Sequence, residues 1–145
     1  MEKMIWFDMD GTLADLYSVN GWLNYLRDYD PTPYREAAVM LNMSLLARRL
    51  NQLRREGWKI GIISWLSKVS TPDYDEAVTE VKRAWLNKHL TSVQFDEIQI
   101  VAYGTPKHTL GSGILFDDEE KNRTAWGAGA YMPNEIMEVL SSLLT

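Results

Sequence analysis

The chain has 145 residues, 46% of them hydrophobic and 24% charged, a balance that suits one globular domain spanning residues 1–145. A net charge of −5 and a pI near 5.0 argue against the basic face that a nonspecific nucleic-acid binder needs, so no nucleic-acid partner is expected. The absence of cysteine excludes disulfides, thiolate metal sites and a cysteine nucleophile, and with neither a membrane-length apolar run nor a signal-peptide pattern the chain reads as cytoplasmic, without a membrane partner.

Met4–Phe7 is a short apolar run of the kind that forms a buried parallel strand, and it leads directly into Asp8-Met9-Asp10-Gly11-Thr12-Leu13. Alternate residues of a strand share a face, so Asp8 and Asp10 point to the same side. Two neighbouring carboxylates repel each other, and a bound cation or a shared proton relieves the repulsion. The pair suits a magnesium-assisted nucleophile with an acid/base group beside it. Equally, Asp and Gly commonly end a strand and start a turn, and on this run alone the two readings weigh the same.

From Ala14 to about Asn42, Tyr17, Trp22, Tyr25, Tyr29 and Tyr34 are scattered among polar residues, and Asp30-Pro31-Thr32-Pro33 divides the segment. Two short helices are expected, near Gly21–Tyr29 and Tyr34–Leu41, forming a small insert over residues 14–42. Ser44 is expected to cap a helix carrying Leu45, Leu46, Leu50 and Leu53 at helical spacing and stopping at Gly57. Trp58–Ile63 then reads as a second buried strand, ending at Ser64. Thr71-Pro72-Asp73 opens a further helix with Val78, Val81, Trp85 and Leu86 on one face, ending near Leu90.

Ile98–Ala102 and Ile114–Phe116 are the third and fourth strands, the latter closed by Asp117-Asp118. A short fifth strand over Gly127–Tyr131 precedes a last helix entered through Pro133, with Ile136, Val139, Leu140 and Leu143 inward. Strands alternating with helices imply an α/β sandwich, a parallel sheet covered on both faces, and ligands of such sheets bind at the carboxyl ends of the strands. Asp8, Ser64 and Asp117 all fall there, and Lys107 follows the third strand.

The run DMDGTL resembles the first signature motif of the haloacid dehalogenase (HAD) superfamily. A match to each of the other three motifs follows in order: GIIS ending at Ser64, GTPKHTL with Lys107, and ILFDDEEKN with Asp117 and Asp118. The first and fourth are specific; Ser64 and Lys107 would be weak alone. The resemblance implies a Rossmann-like three-layer α/β/α fold with a small helical cap after the first strand. It also implies a Mg²⁺-dependent phosphatase in which Asp8 is the nucleophile and carries an aspartyl-phosphate. Asp10 would protonate the leaving alcohol and then activate water, its backbone carbonyl being the family's usual magnesium ligand. Asp8, Asp10, Asp117 and Asp118 form the implied metal group, and Ser64, Lys107, Gly11 and Thr12 the implied phosphate-binding group. Receiver domains combine similar residues, but they place the acid pair first and the phosphorylated aspartate in mid-chain, the reverse of the order here.

Read without the resemblance, Ser64 is a strand-end hydroxyl, Lys107 a solvated loop lysine, and Asp118-Glu119-Glu120 acids at a helix start. The insert is too short for a full helical cap, and the stretch from Leu90 to Ile98 is too short for a second one, so a rather open site is expected. The run KRAWLNKHL…FDEIQIVAYGTPKHTL…ILFDDEEKNRTAW is similar to the 5′(3′)-deoxyribonucleotidase group, whose caps are normally longer. That likeness implies a small phosphorylated substrate, with a (deoxy)nucleoside monophosphate foremost. Trp65, Trp22 and Tyr25 are the candidate substrate contacts, although packing of the lid aromatics against the body is the simpler reading. A phosphatase acting on a phosphoprotein and a non-catalytic phosphate-binding domain are the alternatives.

Overall fold

The computed structural model describes residues 2–145. In chain order its strands are β1 (Met4–Phe7), β2 (Ala14–Asp15), β3 (Ala38–Val39), β4 (Lys59–Trp65), β5 (Glu97–Val101), β6 (Ile114–Phe116) and β7 (Ala130–Tyr131). The helices are α1 (Trp22–Arg27), α2 (Thr32–Glu36), α3 (Met43–Arg55), α4 (Pro72–His89), α5 (Glu120–Trp126) and α6 (Ile136–Leu143). Every residue of β1 is buried, as its apolar run requires, and β1 is the middle strand of a five-stranded parallel sheet ordered β5-β4-β1-β6-β7. The α/β architecture expected from the alternation of elements is therefore present.

Residues of odd and even number along β1 serve opposite faces. Ile5 and Phe7 join Ile60, Ile62, Ile114 and Phe116 in a core covered by Leu46, Leu50 and Leu53 of α3, Trp85 and Leu86 of α4, and Ile136 and Leu140 of α6. Met4 and Trp6 join Ile63 and Leu115 on the other face, with Trp126 of α5 packed against them. Trp6 lies flat over two glycines: a Cβ on Gly61 would be 2.5 Å from its ring and one on Gly111 2.6 Å. Its indole N–H donates to the Ser112 carbonyl at 3.0 Å, so the ring also fastens the loop that follows Lys107.

Register sets up the site. Phe7 is paired with Ile62 on β4 and with Phe116 on β6. The next residues, Asp8 and Asp117, consequently leave the sheet side by side, and the Asp8 amide still donates to the Phe116 carbonyl at 2.9 Å.

Helix boundaries follow local chemistry. Thr71 caps α4 as expected, its hydroxyl accepting from the Tyr74 amide at 3.1 Å, with Pro72 and Asp73 in the first turn. The cap of α3 is Asn42 rather than Ser44. Asn42 keeps an extended backbone and accepts from the Leu45 amide at 3.0 Å, whereas Ser44 is already inside the helix. In the insert, α1 falls within the expected range, but α2 ends at Glu36 instead of continuing to Leu41. Trp85 takes the Ala37 carbonyl at 2.8 Å, and the Met40 amide donates to Leu13. These tertiary bonds draw the chain out of the helix and into β3, which pairs antiparallel with β2 and closes the base of the insert. The fifth strand of the main sheet is shorter than expected because Gly127 and Gly129, both at positive φ, form a turn before it. α5, whose start corresponds to the reading of Asp118-Glu119-Glu120 as acids at a helix start, runs over Glu120–Trp126. Among the described residues, no helix is long and apolar enough to cross a membrane.

The insert has its own apolar cluster. Leu16, Leu26 and Tyr34 pack on Tyr74 and Val78 of α4. The insert thus sits at the carboxyl end of the sheet, beside the aspartates.

Candidate active site

At the end of β1 the Met9 carbonyl accepts from the amides of Thr12, Leu13 and Ala14, which folds the chain into a tight turn through Gly11 at φ +83°. The turn brings the Thr12 hydroxyl back to donate to Asp8 Oδ2 at 3.0 Å. The opposite oxygen, Asp8 Oδ1, accepts from Lys107 Nζ at 2.8 Å. Lys107 is carried on a single 3₁₀ turn, Lys107–Thr109, entered through Pro106. It is 2% exposed, and also donates to Asp117 Oδ2 at 2.8 Å.

Asp117 is held from several sides. Its Oδ1 accepts from the Glu119 amide at 2.9 Å, Oδ2 also accepts from Asn122 at 3.1 Å, and its carbonyl accepts from Arg123 at 2.9 Å. Asn122 and Arg123 lie on α5, so this helix supplies much of the grip. Asn122 ends the ILFDDEEKN run, but no role was expected for it.

A second buried lysine completes the arrangement. Lys82 of α4 is 1% exposed, and its ammonium donates to Asp10 Oδ2 at 2.8 Å, Ser64 Oγ at 2.7 Å and the Trp65 carbonyl at 2.7 Å. It also lies 4.9 Å from the centre of the Tyr34 ring. Sequence reasoning passed over Lys82, although a signal existed. It sits four residues after Val78 and four before Leu86, inside the apolar stripe of α4, where a cation needs a buried acid.

A cavity of about 300 Å³ opens onto Asp8, Asp10, Lys107, Asp117 and Asp118. Trp22 and Trp65, both expected substrate contacts, line it; Tyr25 does not, and lies beside Gly21 instead. Tyr17, Tyr34 and Tyr103 line it too. Trp65 is fixed by an N–H bond to the Thr105 carbonyl at 2.8 Å and packs on Tyr103 with ring centres 5.1 Å apart. Of the expected phosphate-binding group only Lys107 borders the cavity. Ser64 is enclosed and accepts from Lys82, Thr12 braces Asp8, and Gly11 makes the turn.

The electrostatics follow from crowding acids in a low-dielectric corner. Burial pushes the Asp10 carboxyl up, against the opposing pull of Lys82. Burial, and next the neighbouring Asp8, raise Asp117. Asp118 is pushed up to about 8 by the same two causes in the same order. For Lys107, burial alone would lower the value, but the Asp8 and Asp117 carboxylates outweigh it and hold the ammonium above its ordinary range.

Asp8, Asp117 and Asp118 each place a carboxylate oxygen within 4.8 Å of the other two. Three hard oxygen donors that repel one another fit a magnesium ion, which takes few carboxylates and completes its shell with water and phosphate. The Asp10 carboxylate stands outside this group, turned towards Lys82.

The five-stranded parallel sheet flanked by helices, with acids at the ends of the neighbouring strands β1 and β6, is an α/β fold. The solved structures agree. The D,D-heptose 1,7-bisphosphate phosphatase from Burkholderia Thailandensis is similar at a TM-score of 0.57 and 14% identity, over 97% of this chain and 99% of that one. The same enzyme from B. bronchiseptica, complexed with magnesium and phosphate, has a TM-score of 0.57 and 13% identity, over 99% of this chain and 98% of that one. No protein-family model and no curated protein matches the chain.

Proposed function

We propose that the protein is a Mg²⁺-dependent phosphomonoesterase that works through an aspartyl-phosphate on Asp8, with residues 14–42 forming a small lid. The observation that carries this reading is the division of the two aspartates between two buried lysines. Asp8 is held by Lys107 and Thr12 beside the acid cluster, and Asp10 is held separately by Lys82, yet both border one cavity.

In the first step an Asp8 oxygen attacks phosphorus. The bond to the leaving oxygen breaks, and Asp10 gives that oxygen its proton. In the second step Asp10 takes a proton from water, whose oxygen attacks the same phosphorus and releases Asp8 and phosphate. Burial, which favours the protonated form of Asp10, suits the first role. Lys107, with one ammonium proton uncommitted, is placed to neutralise a phosphoryl oxygen. Magnesium held by Asp8, Asp117 and Asp118 would offset the charge of the incoming phosphate. The magnesium and phosphate bound by the B. bronchiseptica enzyme support this assignment.

The substrate is a small phosphorylated metabolite, and a (deoxy)nucleoside monophosphate is the leading candidate. Five aromatic side chains border the cavity, while among the described residues its only basic ones are Lys107 and the exposed Lys68. Such walls favour a flat leaving group with one phosphate over the bisphosphate sugar named for the neighbours.

The test is phosphate release from nucleoside monophosphates, sugar monophosphates and a sugar bisphosphate, with Mg²⁺ and with EDTA. Metal-dependent release concentrated on deoxynucleoside monophosphates is the expected result. Preference for the bisphosphate overturns the substrate reading, and no release from any ester overturns the enzymatic one.

A further inference from the structure

We propose that Lys82 is the positioning residue for Asp10, locking the acid/base carboxylate for proton transfer without itself touching the substrate. This rests on the phosphomonoesterase reading above and extends it to a residue outside the four motifs.

An ammonium has three N–H donors. Lys82 directs them to three acceptors on two elements: Asp10 Oδ2 after β1, and Ser64 Oγ and the Trp65 carbonyl at the end of β4. None remains for a phosphoryl oxygen. Lys82 is also enclosed, with the Tyr34 ring of the insert over its ammonium, and it does not border the cavity. Lys107 differs on each count that matters to a substrate: it borders the cavity and has only two acceptors, Asp8 and Asp117. One lysine is therefore built to meet the phosphate and the other to hold the acid.

The same geometry selects which oxygen of Asp10 works. Oδ2 faces a cation that donates to it, so the proton that Asp10 hands over sits on Oδ1. Among the described residues no side chain or amide donates to Oδ1, and Asp10 borders the cavity. Fixing Oδ2 to the end of β4 thereby fixes the direction in which Oδ1 points. Orientation of this kind matters because a general acid contributes only when it lies within hydrogen-bond reach of the leaving oxygen.

The test is the dependence of turnover on the leaving group. 4-Nitrophenolate departs with little need of a proton, whereas an alkoxide needs one. Lys82→Met, similar in volume, and Lys82→Arg, which keeps the charge, are compared with the wild type on 4-nitrophenyl, phenyl and alkyl phosphates with Mg²⁺. Unfolding is followed by circular dichroism.

Lys82→Met is expected to lose about tenfold in kcat on 4-nitrophenyl phosphate and on the order of 10²-fold or more on the alkyl ester. KM should stay within about twofold. Lys82→Arg should show the same skew with a smaller loss, and it carries the test if Lys82→Met fails to fold. An equal loss on all three esters, a raised KM at unchanged kcat, or no loss overturns the positioning role alone. A wild type inactive on every ester overturns the phosphatase reading and this role together.

Discussion

The carboxylate of Asp118 fills the space that a side chain on Gly11 would need: its Cγ lies 2.7 Å from where a Cβ would stand. Gly11 is also at φ +83°, where an L side chain is strained. The turn of the first motif and the acid pair of the fourth are thus in direct contact, and a carbon added at Gly11 would displace the carboxylate.

Gly11→Ala should therefore cost about 1–3 kcal/mol of stability, from backbone strain and the displaced carboxylate. It should also weaken Mg²⁺ binding, because Asp118 is one of the three clustered acids. Urea unfolding and calorimetric Mg²⁺ titration measure the two effects. Wild-type stability with wild-type Mg²⁺ affinity would refute the contact.

Asp8→Asn should abolish turnover, by on the order of 10³-fold or more, because an amide cannot take the place of the attacking carboxylate. The fold should survive, since Lys107 can still donate to the amide oxygen and the Thr12 hydroxyl can turn to accept from the amide N–H. Phosphate release and circular dichroism check the two halves of the expectation. A folded variant that retains turnover removes Asp8 as nucleophile.

Much of this site could be read in the sequence because it sits at strand ends. Short apolar runs announce β1 and β6, and the acids following Phe7 and Phe116 become neighbours once those strands pair in register. Lys82 and Asn122 were not read: each lies on a helix and reaches the site through packing, and the place of Lys82 in the apolar stripe of α4 shows that it is buried but not what it meets. The α2 boundary failed for a related reason. Helical periodicity cannot anticipate that Trp85, far along the chain, takes the carbonyl of Ala37. Ser64 shows the limit of motif reading: its position at the end of β4 is as expected, but Lys82, unseen in the sequence, occupies its oxygen.

Lys107→Met should destabilise the metal-free protein by about 3–5 kcal/mol, because Asp8 and Asp117 would remain buried without their shared cation. Mg²⁺ should recover part of that loss by supplying positive charge to the same carboxylates. Thermal unfolding of both proteins, with and without Mg²⁺, makes the comparison. A melting temperature unchanged by the substitution in EDTA would show that the lysine does not hold the acids together.

The acid cluster also sets a pH dependence whose sign can be worked out. Asp118 has a folded value of about 8, raised by burial and by Asp8, against an ordinary 3.8. The folded protein therefore holds a proton that the unfolded chain gives up. Its contribution is fully present below 3.8 and is lost as pH rises through about 8. Between about pH 7 and 9 few other shifted groups intervene: His89 is lowered from 6.5 by burial, and Asp30 and Asp96 are lowered from 3.8 by hydrogen bonds to Thr32 and Arg54. Asp117 and Asp10, raised in the same sense, act in the same direction. The metal-free protein should accordingly melt at a lower temperature at about pH 9 than at about pH 7. The drop should be modest because Asp118, although its carboxyl is partly desolvated among the acids, keeps access to solvent at the cavity rim. Mg²⁺ prefers the deprotonated cluster, so the stabilisation it confers should grow over the same interval. Differential scanning calorimetry at the two pH values, with Mg²⁺ and with EDTA, decides the matter. An increment from Mg²⁺ that shrinks as pH rises would place the metal away from Asp8, Asp117 and Asp118.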